Sequence, residues 1–184
     1  MEQSSLVKLE ADYEVEIQWR GFELHPETPT GGIAVSSLFP GKPIEKIRSR
    51  MQAFAKEFGV EMVIPDHLAN TRRALAMSEF ARDEGKLDAF REQATQAYWV
   101  QGRNLELEAD LRHIAEAAGL PATEALDASI DPMFIGRVQK TREEGIESMV
   151  TGVPTLFFLG MPVVGCQRYE TFEKVAKIVG LTPR

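Results

Sequence analysis

Residues 151–172 read TGVPTLFFLGMPVVGCQRYETF, and this stretch decides the fold. Leu156 to Leu159 is an unbroken apolar run, preceded by Pro154 and followed by Gly160. A short run of this kind between turn signals predicts a strand, from about residue 155 to 159, buried on both faces. Gly160-Met161-Pro162 predicts a tight connection. Val163 and Val164 begin a partner strand, which Gly165 ends or bulges. Further on, Phe172, Val175, Ala176 and Val179 recur at helical spacing and predict an amphipathic helix over 169–179. The stretch is therefore a β-hairpin leading into a helix.

Upstream, residues 43–147 carry helical periodicity almost throughout. Ile44, Ile47, Met51, Phe54, Ala55 and Phe58 mark one apolar stripe, closed by Gly59. Further helices are expected at about 71–84, 87–100, 106–118 and 121–129, with Gly85, Gly102 and Gly119 as stops. Asp131-Pro132 opens a last one, with Asp as cap and Pro at the first helical position. Before this block, residues 25–43 hold four prolines and three glycines and read as a loop. Its length suggests function or a wrap around the surface.

Earlier still, Tyr13, Val15, Ile17 and Trp19 alternate with Glu14, Glu16, Gln18 and Arg20, the pattern of a half-buried strand. Phe22 and Leu24 continue the alternation one residue out of phase, which a bulge or bend at Gly21 would explain. Residues 2–12 predict a short helix with a narrow face of Leu6, Val7 and Leu9. The expected class is α/β: a sheet of three strands at most, with helices covering its faces. The division is 1–42 with 149–184 as the sheet part and 43–148 as a helical insertion.

Charge and composition exclude several classes. The 28 acids outnumber 21 bases, giving a net charge of −7, which argues against a nucleic-acid partner. The apolar runs are too short and too broken by Pro and Gly to span a bilayer, so no membrane association is expected. One cysteine, Cys166, excludes an internal disulfide, a CxxC pair and a Cys-rich metal site within these 184 residues. No basic-then-apolar leader is visible, and cytoplasm is the expected compartment.

Three landmarks together resemble the DsbA-like branch of the thioredoxin fold. They are EIQWRGFELHPETPTGG at 16–32, ANTRRALAMSEFARDEGK at 69–86, and the GVPT-hairpin-helix stretch. The branch includes FrnE-type cytoplasmic oxidoreductases, 2-hydroxychromene-2-carboxylate isomerases and kappa-class glutathione transferases. The resemblance covers nearly the whole chain and implies a thioredoxin-like sheet with a large helical insertion. It implies a thiol–disulfide oxidoreductase with thiol or peptide substrates, and a substrate ledge at Val153 and Pro154 with a cis bond between them. It also implies a departure. The family begins with a central strand and a CxxC, or a Ser variant, at the start of its first helix. Met1 falls inside that helix, so the sheet is expected to be truncated at its N-terminus and the nucleophile to have no counterpart here.

Several consequences follow from that departure. The chain as given is expected to be inactive in dithiol exchange. The missing strand is expected to leave open edges beside 13–20 and 155–159. A rearranged sheet, a partner chain, a strand-mediated homodimer, or a true start upstream of Met1 would each resolve them. Two other functions stay open: a glutathione-dependent isomerase or transferase, and a non-catalytic dimerising or binding module. No cofactor is expected, with glutathione as the one ligand the resemblance admits.

Individual residues carry competing readings. Asn70 and Thr71 are either substrate or glutathione contacts, as the resemblance implies, or helix caps, as their residue types favour. Arg72 and Arg73 are expected on a solvated helix face. Cys166 is expected to be a small packing residue. His25, His67 and His113 lack metal-ligand spacing, and no metal site is expected. Trp19, Trp99 and Tyr98 read as core or interface residues.

Overall fold

The computed structural model describes residues 3–184, with side chains from residue 5 onward. The helix expected over 2–12 is α1 (Gln3–Asp12); residue 2, like Met1, lies outside the described residues. The loop that follows the first extended segment contains β1 (Ile33–Ala34) and a one-turn helix, α2 (Val35–Leu38). Next come α3 (Ile44–Lys56) and β2 (His67–Leu68), which pairs antiparallel with β1. The helical block continues with α4 (Arg72–Asp83), α5 (Leu87–Trp99), α6 (Glu108–Ala117), α7 (Ala122–Ala128) and α8 (Pro132–Glu147). The hairpin β3 (Thr155–Phe158) and β4 (Met161–Val164) and the helix α9 (Tyr169–Ile178) complete the order.

Local chemistry sets these elements. Asp131 caps α8 by accepting the Met133 N–H at 2.7 Å, with Pro132 where a helix needs no N–H. The core forms in two places. Met77, Phe90, Leu111 and Ile114 join α4 to α5 and α6, while Ala76, Phe134 and Val138 seat α8 on α4. Phe80 touches both groups. A separate cluster of Leu6, Leu9, Tyr13, Phe158, Val163, Phe172 and Ala176 joins α1, the hairpin and α9.

Four expectations need correction. The hairpin turn is the two-residue Leu159-Gly160, with φ of 49° and 91°, so Met161 and Pro162 belong to β4. Two positive φ values make the tight connection whose twist matches the strands, and Gly160 takes the second at no steric cost. Pro162 stands opposite Phe157. With the closing pair Phe158–Met161 hydrogen-bonded, Phe157–Pro162 is a pair that exchanges no bonds, so the missing proline N–H leaves no gap in the ladder.

Second, β3 is not buried on both faces. Phe158 is buried against Phe172, but Phe157 is 46% exposed and shares its open face with Pro162 and Val164. Third, the stripe of α3 is only partly covered: Ala55 is buried, whereas Met51 and Phe54 are exposed.

Fourth, residues 14–20 are extended but form no ladder. Burial alternates as the sequence predicts, with Tyr13, Val15, Ile17 and Trp19 inward. Yet after the Tyr13–Pro183 bridge and the Glu14 N–H to Thr182 bond at 2.8 Å, residues 16–23 make no backbone–backbone hydrogen bond among the described residues. The alternation reports one buried face, while a ladder also needs a neighbouring strand. The inward phase runs through Gly21 without a bulge and ends on Glu23, which is 2% exposed, while Leu24 faces solvent. Phe22 lies on the opposite side against α8, where a Cβ on Gly145 would come within 2.5 Å of its ring. Among the described residues, no helix is long and apolar enough to cross a membrane.

Candidate functional site

The Val153–Pro154 peptide bond is cis. Two bonds fix the chain around it. Thr155 Oγ1 donates to the Gly152 carbonyl at 2.7 Å, and the Gly165 N–H donates to the Pro154 carbonyl at 2.8 Å. Val153 lies between them with its own amide and carbonyl unbonded among the described residues and its side chain half exposed. Beyond it, Leu156 and Phe158 face β4, so the backbone groups of Thr155 and Phe157 point to the other, open edge. Val153, at the bend before β3, and Thr155 and Phe157 within it therefore leave backbone donors and acceptors open, with exposed apolar side chains at Val153 and Phe157. An extended polypeptide can pair with such an edge.

The second unladdered segment has its own groove, a cavity of about 580 Å³ between residues 16–20 and helices α4 and α8. Its walls are mostly charged. Arg82 donates to the Trp19 carbonyl at 2.7 Å and pairs with Glu79, Arg20 meets Glu144 at 2.7 Å, and Arg137 meets Asp83 at 2.8 Å. Trp19 is stacked under Arg91, 3.9 Å from its guanidinium. These pairs satisfy one another, so the groove carries no net call for an ion of either sign.

Asn70 sits at the start of α4 and is fully engaged there. Its Nδ2 donates to the Thr28 carbonyl at 2.6 Å, and its Oδ1 accepts the Arg72 N–H at 3.0 Å. That second bond is helix-start capping by Asn70, one residue before Thr71. No hydrogen bond joins Asn70 to Val153 or Pro154. Asn70→Ala is expected to cost about 1–2 kcal/mol, the loss of a cap plus a loop tie, measured by chemical denaturation. A variant as stable as the wild type would show that these two bonds carry no weight.

Arg72 and Arg73 are not on a solvated face. Arg72 makes a two-pronged contact with buried Glu23, Nε to Oε1 at 2.9 Å and Nη2 to Oε2 at 3.0 Å. Arg73 reaches the buried Ser129 hydroxyl at 3.1 Å and the Glu106 carbonyl at 3.3 Å. Two residues absent from the sequence reading organise this corner: Glu23 and Glu106. The Glu106 carboxylate accepts the N–H of Gly31 at 2.6 Å and of Asn70 at 2.7 Å, fastening the 25–34 loop to α4. The signal for Glu23 was its place in the inward phase of 13–21; spacing offered none for Glu106.

The histidines lie apart. His25 pairs with Glu27 at 3.1 Å, His67 is in β2 and His113 is on the outer face of α6. Glu27 is held below the usual carboxylate range, chiefly by a backbone hydrogen bond and then by His25. Cys166 is half-buried in the link between β4 and α9. Among the described residues no three His, Cys, Asp or Glu side chains are grouped to hold a metal ion.

Comparison with known proteins bears on the fold and the family. Structurally, the chain is similar to a probable DsbA oxidoreductase from Streptomyces coelicolor, with a TM-score of 0.86 and 22% identity. That likeness covers 97% of this chain and 82% of the other. It is also similar to a 2-hydroxychromene-2-carboxylate isomerase, with a TM-score of 0.75 and 20% identity over 95% of this chain and 86% of the other. At these identities the likeness shows the fold alone. No curated protein sequence matches significantly. Residues 2–177 match the DSBA-like thioredoxin domain, and the chain belongs to that family.

Proposed function

We propose that these residues form the substrate-holding part of a DsbA-like thiol–disulfide oxidoreductase, with Val153 and Pro154 as the ledge. The observation that carries this reading is the unbonded backbone of Val153 beside the cis Pro154, together with the open edge of β3 at Phe157. An extended thiol-bearing peptide would pair its backbone there and rest its side chains on Val153 and Phe157. The 184 residues hold a single cysteine, which can enter one mixed disulfide but has no second thiol to resolve it. The same open edge suits a homodimer, and the cytoplasm suits a chain with no disulfide to maintain.

The test is a titration of the labelled 184-residue chain with a reduced, unfolded cysteine peptide, followed by amide chemical shifts. Saturable shifts at Val153, Thr155 and Phe157 are expected, with an affinity on the order of 1 mM. In parallel, the rate of insulin reduction by dithiothreitol should stay at its uncatalysed value. Shifts confined to other surfaces would remove the ledge, and catalysed insulin reduction would overturn the inactivity of this chain in dithiol exchange. Retention on immobilised glutathione without peptide binding would move the reading to the isomerase class.

A further inference from the structure

Helix α3 carries an apolar stripe that the fold does not use. Of its residues only Ala55 is buried. Arg48 is tied to Asp66, and Gln52 donates to the Met62 carbonyl at 3.1 Å, so the helix is held along one side. Beside that line of attachment run Ile47, Met51, Phe54 and, just past the helix end, Phe58, at helical spacing. Ile47 and Phe58 are half-buried, but Met51 is 38% exposed and Phe54 42%. The Phe54 ring meets Phe58 edge-on at 5.1 Å, which fixes it in this open position.

The charge around the stripe is unusual for the chain. Residues 42–57 hold Lys42, Lys46, Arg48, Arg50 and Lys56 against only Glu45 and Glu57, in a protein of net charge −7. Arg48 pairs with Glu45 and Asp66, and Glu57 pairs with Arg168. The other four bases are exposed and make no ion pair among the described residues. Lys46 and Arg50 stand four residues apart on a ridge that continues to Phe54, so two cations border the open stripe. Like charges at this spacing repel, and Lys46 in the first turn opposes the helix dipole. Helix stability favours the opposite sign at position 46, so these bases serve something other than α3 itself.

We propose that α3 is a docking surface for an acidic amphipathic segment of a partner protein. Apolar side chains of the partner rest on Met51 and Phe54, and its carboxylates meet Lys46 and Arg50. Charge complementarity selects this occupant. Two copies of the chain joined antiparallel through α3 would bring Lys46 of one near Lys56 of the other. A bilayer would meet the whole facing side of the protein, exposed Glu57 and Glu61 included, while Met51 and Phe54 are each more than half covered and stand too low to enter it. The surface is independent of the ledge at Val153.

The probe is a synthetic helical peptide with leucines along one face and glutamates along the other, titrated into the labelled chain. Saturable amide shifts at Lys46, Arg50 and Phe54 are expected, with a Kd on the order of 0.1 mM that weakens as salt is added. The same peptide with glutamine for glutamate should bind about tenfold more weakly. Lys46→Glu/Arg50→Glu should weaken binding at least about tenfold while leaving the denaturation midpoint unchanged or higher, because it removes the repulsive pair and suits the helix dipole. Phe54→Ser should weaken binding about tenfold with amide shifts elsewhere unchanged. Absence of saturation, equal binding of the glutamine peptide, shifts confined to other surfaces, or indifference to the charge-reversed variant would each overturn the proposal. So would shifts at these amides with phosphatidylserine vesicles but not with the peptide, which would make the partner a bilayer. Shifts at the same amides on raising the protein concentration alone would make it a second copy and overturn the proposal too.

Discussion

Phe172→Ala is expected to destabilise the protein by about 4 kcal/mol, measured from the denaturant midpoint at constant m-value. Phe172 is fully buried, with its ring 5.8 Å from that of Phe158. It is the largest fully buried side chain of the cluster that joins α1, the hairpin and α9. Removing it deletes the apolar transfer energy of a phenyl ring and leaves a cavity that Phe158, Leu9 and Ala176 cannot fill without leaving their own partners. The effect should be large because this core is small. Residues 14–20 add half-buried rows to it but no ladder, and the outer face of β3 adds nothing. The helical core shares no buried residue with this cluster. Protection from hydrogen exchange should therefore fall first at Leu156 and Phe158, which face β4, and later at α5 and α6. A loss below about 1.5 kcal/mol would mean that the hairpin is held chiefly by its ladder and not by this ring.

The consequence for function is direct. The proposed ledge at Val153 is anchored through Pro154 to Gly165 and through β3 to Phe158, so whatever loosens Phe158 would loosen it. Peptide binding at the open edge should weaken in Phe172→Ala even where the protein is still folded. Binding retained at full strength would separate the ledge from the core beneath it.

The sequence revealed the helical block and the hairpin because their signals are local. Helices 44–56, 72–83 and 132–147 follow from apolar spacing, glycine stops and the Asp-Pro start, all readable within a few residues. The DsbA-like family was also legible, from three landmarks in order. What escaped depends on partners distant in sequence. Residues 13–20 alternate as a strand should, yet alternation reports burial of one face and not the presence of a neighbour. The turn at Leu159-Gly160 was misplaced because a leucine at positive φ is a choice that residue type argues against. Glu106 could not be found from spacing, since its work is to hold two amides, at positions 31 and 70. The β1–β2 pair is only two residues long on each side and carries no periodicity of its own.

Arg72→Leu is the second large effect, at about 3 kcal/mol. Glu23 is almost wholly buried, with 3% of its side chain exposed against 36% for Arg72. Both its oxygens are met by the guanidinium, at 2.9 and 3.0 Å. The cost of losing Arg72 is mainly the carboxylate left behind without a cation, and it sits at the low end of the range because water can reach a pair that is one-third open. The double variant Glu23→Leu/Arg72→Leu removes that stranded charge and should return to within about 1 kcal/mol of the wild type. The coupling in the cycle should thus be about 2 kcal/mol or more. Equal instability of the single and double variants would locate the cost in the lost arginine stem. Recovery in the double variant would establish that Glu23 and Arg72 act as one clasp, closing the end of the first extended segment onto the start of α4, where Asn70 and Glu106 fasten the neighbouring loop.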